Sequence, residues 1–363
     1  MITKQFYDHI HVIVITFSCE STYLNHQPIT QNLLQTIRLL GEFKGRQELF
    51  REQSPQVLET LRQASIIEST ESSNRLEGVT APHDRIAELV SRKSTPKNRP
   101  EQEIAGYRDV LDHIHTNHPH MSFDVDFVQW VHHSLYKFSP IRGGQWKSTD
   151  NEITETRPDG SKMLRFRPTS AAETPEAMRR LHANFDMVWD SGEYEPLLVI
   201  SAYILDFLCI HPFLDGNGRA ARLLTLLLLY KSGYEVGHFI SLEEKIERTK
   251  RSYYDSLWQS SQGWHEGKHS LQPWWDYFLG VILLGAYREF SDRVGAVTSV
   301  RGAKREMIVD AIGRLPYEFQ YADVERSCPG VSRPTINRAL AELRKSGEIQ
   351  CVRPGRNALW RKT

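Results

Sequence analysis

The segment His211-Pro-Phe-Leu-Asp-Gly-Asn-Gly-Arg-Ala-Ala-Arg222 places a set of polar groups between two apolar runs. The run before it, LLVISAYILDFLCI, covers residues 197–210, and the run after it, LLTLLLLY, covers residues 223–230. Both runs have the length and composition of helices but no polar face, so each is predicted to be buried on most sides. Neither run reaches the length of a membrane span.

The middle of this segment predicts a loop that opens onto a helix N-terminus. Pro212 and the triplet Gly216-Asn217-Gly218 interrupt helical geometry, and the helical pattern resumes near Arg219. Unpaired N–H groups at such an N-terminus, next to glycines that allow close approach, form a site suited to phosphate. Arg219 and Arg222 lie on one helical face and offer further donors to phosphate oxygens.

Two more side chains of the segment carry chemistry. Asp215 supplies a carboxylate of the kind that holds Mg²⁺ together with substrate phosphates, and His211 supplies an imidazole that can take a proton near neutral pH. A packing histidine and a calcium loop are the alternatives. The calcium loop fails, because two of its ligand positions would fall on Arg219 and Leu226. The combination of base, carboxylate, glycines and arginines favours a functional site.

This segment resembles the signature of the Fic family, H-P-F-x-D-G-N-G-R-x-x-R, with every fixed position present. The resemblance implies an all-helical fold and transfer of AMP from ATP to a hydroxyl group of a protein, with release of pyrophosphate. The related Doc toxins, which phosphorylate their targets, carry lysine at the position of Gly218. This difference favours AMP transfer.

The resemblance also implies a role for each position of the segment. His211 would deprotonate the target hydroxyl, and Asp215 would hold Mg²⁺ on the phosphates of ATP. The remaining positions would bind the triphosphate, with the chain held by Gly216, Asn217 and Gly218 and the distal phosphates by Arg219 and Arg222. A general base, a metal ligand and preorganised donors are the groups that displacement at phosphorus needs.

The composition of the whole chain is that of an ordinary globular protein. Its 363 residues are 40% hydrophobic and 25% charged, and its formal net charge is zero. These values fit two or three domains and predict no general attraction to nucleic acid or membranes. The four cysteines lie far apart without metal-ligand spacing, which argues against a disulfide framework or a zinc site and suits a reducing cytoplasm.

Changes in the pattern divide the chain into four parts. Residues 1–29 are a lead-in, in which 8–18 form a β-branched run that is either strand-like or disordered and lacks the features of a secretion signal. Residues 30–98 are predicted to form an N-terminal helical lobe, and residues 99–297 a catalytic core that follows a polar, proline-bounded linker. Residues 298–363 are predicted to form a separate C-terminal domain.

The N-terminal lobe contains the segment Ser72-Ser73-Asn74-Arg75-Leu76-Glu77-Gly78, which resembles the inhibitory motif of Fic proteins. Ser73 and Glu77 supply its fixed positions and lie on one face of a predicted helix that would end at Gly78. An ordinary surface helix end has the same pattern. The resemblance implies that Glu77 competes for Arg222, so that ATP binds in a pose unsuited to attack.

Two further features of the core are relevant to substrate binding. Residues 145–168 lack helical periodicity and carry the turn signal Pro158-Asp159-Gly160, so they are predicted to form a β-hairpin. In the Fic family a hairpin at this place, the flap, aligns the target backbone by strand addition, although a plain surface hairpin would have the same pattern. Residues 241–258 are predicted to form one helix, in which Tyr254 either stacks on adenine, as the resemblance implies, or packs in the core.

The histidines that follow the linker have no consistent set of partners in the sequence. They are interpreted as surface or packing residues. The set comprises His113, His115, His118, His120, His132 and His133.

The C-terminal residues 299–363 carry 13 basic and 7 acidic side chains, so positive charge is concentrated there. Helical patterns at 304–314, 320–327 and 332–345, followed by a hairpin, resemble a winged helix-turn-helix domain. Such a domain would contact DNA through side chains of its third helix and its wing: Arg333, Thr335, Asn337, Arg338, Arg353 and Arg356. Docking of a protein, or formation of a homodimer, is the alternative.

The sequence therefore predicts a mainly α protein: a Fic helical bundle with a β-hairpin flap and a small C-terminal winged-helix domain. Its predicted activity is that of a cytoplasmic protein adenylyltransferase that uses ATP and Mg²⁺, modifies a Ser, Thr or Tyr hydroxyl of a target protein or of itself, and binds no membrane. Removal of AMP from a protein, with Glu77 positioning water, is the first alternative. A DNA-binding regulator that senses nucleotide through its Fic domain is the second.

Overall fold

Helices account for most of the chain. The structure is a computed structural model that describes residues 16–53, 55–156, 159–298, 303–328, 331–355 and 358–363. The range predicted as the lead-in contains α1 (Ser21–Leu24), and the range predicted as the N-terminal lobe contains α2 (Gln31–Gln53), α3 (Pro55–Leu76) and α4 (His83–Val90). The core begins with α5 (Arg99–Asn117), α6 (Val125–Leu135), α7 (Thr174–Ser191), α8 (Pro196–Ile210) and α9 (Asn217–Lys231). It continues with α10 (Leu242–Arg248), α11 (Lys250–Ser261), α12 (Gln272–Trp275), a π-helical segment (Asp276–Leu283) and α13 (Leu284–Thr298).

The helices α8 and α9 are the buried pair that the sequence predicts. Nearly all side chains of α8 are buried, and so is every residue of α9 from Arg219 to Tyr230. Because neither helix has a polar face, both are surrounded by the other helices of the core. The chain leaves α8 at His211, which has a left-handed φ of 52°, and enters α9 after Gly216, which has a φ of 80°.

The single helix predicted for residues 241–258 is wrong. Two helices, α10 and α11, meet at Thr249, whose backbone has φ −110° and ψ 26°. The hydroxyl of Thr249 donates to the carbonyl of Lys245 at 2.7 Å and contacts the hydroxyl of Tyr277 at 2.7 Å. The Thr249 side chain thus joins the end of α10 to the π-helical segment at this junction.

The predicted hairpin consists of β1 (Ile153–Thr156) and β2 (Lys162–Phe166), which pair antiparallel. Pro158 of its predicted turn lies outside the described residues. The ring of Phe166 stacks on His265 with a centroid distance of 5.5 Å, which attaches the hairpin to the segment that follows α11.

The C-terminal part has a hydrophobic core of its own, formed by residues such as Ile308, Phe319 and Ile336. Its three strands form one antiparallel sheet in the order β3-β5-β4, and its shortest strand, β3, was not predicted. Arg356 lies outside the described residues, as does most of the predicted lead-in 8–18. The elements in chain order are α14 (Ala303–Arg314), β3 (Glu318–Gln320), α15 (Tyr321–Ser327), α16 (Arg333–Lys345), β4 (Ile349–Arg353) and β5 (Leu359–Lys362).

Two general features accompany this fold. Among the helices of the described residues, none combines the length and apolar character needed to cross a bilayer. The four cysteines, all within the described residues, form no disulfide, and Cys19, Cys209 and Cys328 are buried.

Candidate active site

The loop between α8 and α9 is held in shape by a buried amide at its end. Asn217 donates from Nδ2 to the carbonyl of Phe213 at 2.7 Å and accepts at Oδ1 from the N–H of the same residue at 2.9 Å. Because these bonds engage the Asn217 side chain, a phosphate contact of this residue would come from its backbone N–H at the start of α9.

A histidine of α6 supports the same loop from the side. His132 accepts at Nδ1 from the N–H of Gly144 at 2.8 Å, and its Nε2 donates to the carbonyl of Asp215 at 2.9 Å. Its ring stacks on Phe213 with a centroid distance of 3.7 Å. Burial lowers the pKa of His132 to about 4, so the ring is neutral. Each of its two nitrogens has a hydrogen-bond partner. His132, interpreted from the sequence as a surface or packing residue, is thus buried and supports the loop.

His211 is half-buried at the start of the loop, with Nδ1 3.2 Å from the carbonyl of Leu208. A carbonyl oxygen only accepts, so Nδ1 carries the hydrogen in the neutral ring and Nε2 keeps its lone pair. Desolvation lowers the pKa of His211 to about 4. The ring is therefore neutral near pH 7, which is the form that a general base requires.

A buried lysine fixes the backbone on both sides of His211. The N–H of Lys147 donates to the carbonyl of Pro212 at 2.8 Å, and its Nζ donates to the carbonyl of Ile210 at 3.0 Å. Nζ also donates to Oδ1 of Asn151 at 2.9 Å. Burial lowers the pKa of Lys147 to about 8. Its positive charge contributes, after desolvation, to the low pKa of His211.

Asp215 lies at the mouth of the loop, with its side chain 62% exposed. One carboxylate oxygen accepts from the N–H of Gly216 at 2.7 Å, and the other lies 3.8 Å from Nη2 of Arg219. An exposed carboxylate beside a phosphate site fits Mg²⁺, which binds one or two carboxylates together with substrate phosphates.

The two arginines of the signature have different environments. Arg219 is only 1% exposed, and its Nη1 donates to Oε2 of the equally buried Glu103 at 2.6 Å. Its Nη2 donates to the hydroxyl of Tyr136 at 2.9 Å. Arg219 therefore ties α9 to α5, and the predicted contact with distal phosphates would require its guanidinium to leave these buried partners.

Arg222 instead faces the end of α3. Its Nε donates to Oγ of Ser73 at 2.8 Å, and its Nη2 donates to the carbonyl of Ser73 and to Oε1 of Glu77, both at 2.9 Å. Within the described residues, the buried Nη1 has no hydrogen-bond partner. The predicted pairing of Glu77 with Arg222 is thus present as a contact, and Arg222 still offers a donor.

Glu77 also covers the first turn of α9. A Cβ added to Gly218 would collide with Oε1 of Glu77, and the next nearest atom is Nη1 of Arg222 at 3.1 Å. The carboxylate of Glu77 therefore lies on the helix N-terminus where the sequence predicts phosphate. The partial positive charge of that terminus and the Arg222 guanidinium both favour an anion here.

The tyrosine pair of α11 is divided between core and surface. Tyr253 is buried, and its ring lies edge-on to Trp274 with a centroid distance of 5.9 Å. The ring of Tyr254 is 42% exposed. Desolvation and, next, the charge of Glu77 raise the pKa of the Tyr254 hydroxyl, so this residue lies near the site. Its contact with adenine stays a prediction.

The buried pair of Arg219 and Glu103 leads to a prediction about stability. Glu103→Gln is expected to lower the free energy of unfolding by about 3 kcal/mol, because it leaves a buried guanidinium without a compensating charge. Chemical denaturation of the two proteins measures this difference. The matched control is Glu193→Gln, since Glu193 is exposed. A Glu103→Gln variant as stable as this control would contradict the anchoring role of Arg219.

Sequence reasoning missed four residues that shape the site: His132, Tyr136, Lys147 and Glu103. Three of them lie on α5 and α6 or directly after α6, far from the signature in sequence, and no local pattern links them to it. Lys147 follows Gly143-Gly144-Gln145-Trp146, where the helical pattern stops. The end of the helical pattern at this point was the available signal that the following residues lie close to the loop between α8 and α9.

The match to a family model agrees with this geometry. Residues 122–229, which include the loop from His211 and both arginines, match the model described as the Fic/DOC family. This part of the chain is similar to Fic domains. A curated relative, a protein adenylyltransferase Fic of Nematostella vectensis, is 23% identical over 202 residues, or 53% of this chain. The matched part spans 42%, less than half, of the length of that relative.

Solved structures of Fic proteins share the fold. A Fic family protein from Desulfovibrio desulfuricans has a TM-score of 0.59 and 20% identity, and the match covers 93% of this chain and 97% of that one. A Fic domain containing signaling protein from Bacteroides thetaiotaomicron has a TM-score of 0.59 and 21% identity, with 72% and 98% covered. The predicted mainly helical Fic fold is thereby confirmed.

Proposed function

We propose that this protein is a protein adenylyltransferase, which transfers AMP from ATP to a hydroxyl group of a target protein, and that Glu77 restrains it. The observation that carries the proposal is the position of the Glu77 carboxylate on the first turn of α9, in contact with Arg222. An internal anion already lies where the phosphates of a nucleotide would bind. The Fic domain and the activity named for the Nematostella vectensis relative support the same class of reaction.

In the proposed reaction, Nε2 of His211 takes the proton of the target hydroxyl, and the hydroxyl oxygen attacks the α-phosphorus of ATP. A bond forms between these two atoms while the bond from the α-phosphorus to the bridging oxygen breaks, and pyrophosphate leaves. The N–H groups at the start of α9 and the guanidinium of Arg222 stabilise the charge on the phosphates. Arg219 keeps α9 in position through Glu103.

Asp215 is the residue that would hold Mg²⁺. When bound, the ion would neutralise part of the negative charge of the phosphates. The exposure of the Asp215 carboxylate leaves room for both ion and nucleotide.

The hairpin of β1 and β2 is the proposed docking place for the target protein. An extended segment of the target could add to its free edge through backbone hydrogen bonds and so bring a Ser, Thr or Tyr hydroxyl towards His211. Modification of the chain by itself would use the same chemistry, because any accessible hydroxyl presented in this way could react.

Labelling with ATP tests the reaction class. With label in the α-phosphate, we expect covalent label on protein, including this chain, whereas label in the γ-phosphate should give none. The opposite pattern would indicate phosphorylation. Covalent labelling from neither form in the unrestrained Glu77→Gly variant, with nucleotide binding intact, would overturn the proposed transfer reaction.

The low pKa of His211 predicts a specific pH profile. The base is active when neutral, so a pKa near 4 keeps it active from neutral pH down to about pH 5, and protonation removes activity only below that range. We expect kcat/KM, which reports the free enzyme, to stay level between pH 7 and 5. A decline centred at about pH 6.5, the ordinary histidine value, would contradict the desolvated site.

The reverse reaction, removal of AMP from a protein, is a second candidate. The Glu77 side chain is 28% exposed. Its negative charge is close enough to His211 to act to raise the pKa of that imidazole. A carboxylate in this position could orient a water molecule. Release of AMP from prelabelled protein, lost in Glu77→Gly, would support removal, whereas faster labelling in that variant supports restraint.

We infer that residues 303–363 form a winged helix-turn-helix module, because the element order helix, strand, helix, helix, strand, strand fits that architecture. On its third helix, α16, the side chains of Asn337 and Arg338 are exposed, and so is that of Arg353 in β4. Arg333 is paired with Glu325 at 2.7 Å, and Thr335 with Ser332 at 2.9 Å.

Binding of the full chain to duplex DNA at several salt concentrations tests this module. An affinity that falls steeply with salt, and that weakens in Arg338→Ala, would support DNA contact through phosphates. Absence of binding at low salt would favour protein docking or a homodimer, for which a sedimentation measurement gives the oligomeric state.

A further inference from the structure

The two short turns at one end of the bundle bring three potential metal ligands together. His118 begins the 3-10 turn that follows α5, while Glu235 and His238 flank and end the 3-10 turn that follows α9. One donor atom from each of these side chains lies within 4.8 Å of the other two. Nε2 of His118 lies 3.9 Å from Oε1 of Glu235. His118, which was interpreted from the sequence as a surface or packing residue, is thus part of a cluster of potential metal ligands.

The donor set selects the class of metal. Two imidazoles and one carboxylate suit zinc and related first-row ions, whereas Mg²⁺ and Ca²⁺ prefer oxygen ligands alone. Bond lengths of about 2.0 to 2.1 Å place the donors of tetrahedral zinc about 3.4 Å apart. The observed donors therefore need to approach by roughly 1 Å, which small side-chain rotations in these turns can provide.

We propose that His118, Glu235 and His238 form a zinc site that joins the turn after α5 to the turn after α9.

Buried nitrogen atoms without partners lie beside the cluster. Nδ1 of His118 and Nδ1 of His115 are buried and have no hydrogen-bond partner in the described part of the chain. His115 is only 4% exposed, and the centroid of its ring lies 4.6 Å from that of His238. Buried polar atoms without partners are costly, so these imidazoles are incompletely satisfied in this structure.

The surroundings hold the ligands in place. The ring of Tyr230 stacks on His238 with a centroid distance of 4.3 Å, and its hydroxyl lies 3.2 Å from Nε2 of His115. The turn itself is fixed by Gln47, which accepts from the N–H of Glu235 at 3.0 Å. Partners that orient metal-binding side chains in this way strengthen metal sites.

This site is separate from the proposed ATP site. The loop with His211 and Asp215 precedes α9, and the cluster with Glu235 follows it, so the 15 residues of α9 lie between them, a length of about 22 Å. The turn with His238 also contacts α3, since Oγ of Ser65 donates to the carbonyl of Gly237 at 3.1 Å. Zinc would therefore fasten the end of α5 to the end of α9, at a place where the second turn also contacts α3.

Calorimetric titration of the chelator-treated full chain with Zn²⁺ tests the site. We expect one ion per chain and, at a concentration of about 100 times Kd, a rise in Tm of about 5 °C. His118→Ala and the isosteric Glu235→Gln should each weaken binding at least about 100-fold and remove the rise in Tm. The control His120→Ala, an exposed histidine of the same turn, should bind as the unchanged chain does.

The variant Asp215→Ala should also retain binding, which distinguishes this site from cation binding at the proposed ATP site. Circular dichroism of each variant shows whether it is folded. Absence of one tight zinc ion, or equal affinity in folded His118→Ala and the unchanged chain, would overturn the proposal. Stabilisation by Mn²⁺ or Ni²⁺ but not by Zn²⁺ would overturn the assignment to zinc.

Discussion

Replacing Glu77 by glycine is expected to raise AMP incorporation roughly 10- to 100-fold. The variant removes the carboxylate from the first turn of α9 and frees Nη2 of Arg222 from it. A charge-assisted hydrogen bond contributes about 1.5 to 3 kcal/mol, and each 1.4 kcal/mol corresponds to a factor of ten. Arg222 stays in place because Ser73 still accepts two of its hydrogen bonds. Labelling of protein from α-labelled ATP measures the rate.

Two further variants control this result. Glu77→Gln keeps a side chain of the same size over Gly218 but removes its charge, so its rate should lie between those of the unchanged chain and Glu77→Gly. Little loss of fold is expected, since Glu77 follows the end of α3 and is partly exposed. Equal or lower incorporation in a folded Glu77→Gly variant would rule out restraint by this residue.

Replacing His211 by asparagine is expected to reduce AMP transfer by about 10²- to 10⁴-fold, the usual contribution of a general base. Asparagine is the suitable substitute because His211 has a left-handed φ of 52°, which asparagine tolerates better than alanine does. The loss is best measured in the Glu77→Gly background, where the starting rate is high.

Binding of ATP should persist in His211→Asn, because the N–H groups of α9 and the guanidinium of Arg222 are unchanged. Binding and thermal unfolding measurements therefore separate a catalytic defect from a misfolded loop. If the folded variant transfers AMP at the rate of its parent, another group is the base. If the variant loses both ATP binding and AMP transfer, the imidazole has a structural role instead.

Much of this site follows from local sequence. A run without a polar face predicts a buried helix, and proline and glycines between two such runs predict the loop that the structure contains. The turn signal at 158–160 predicts the hairpin. These inferences succeed because backbone conformation and helix burial depend mainly on neighbouring residues. The helix expected over 241–258 is instead two helices, and at their junction Thr249 contacts Tyr277, which lies on a different helical segment.

What the sequence alone determined about this protein is the Fic signature, the mainly helical fold and the chemical groups available at the 211–222 loop. Only the tertiary structure decided how those groups are used: Arg219 is bonded to Glu103, whereas Arg222 faces Ser73 and Glu77. The physical reason is that Arg219 and Arg222 carry the same guanidinium group on the same face of α9, so their chemistry alone does not distinguish them. The role of each depends on which carboxylate the packing of α3 and α5 brings within hydrogen-bond distance, and those partners lie more than 100 residues away in the sequence.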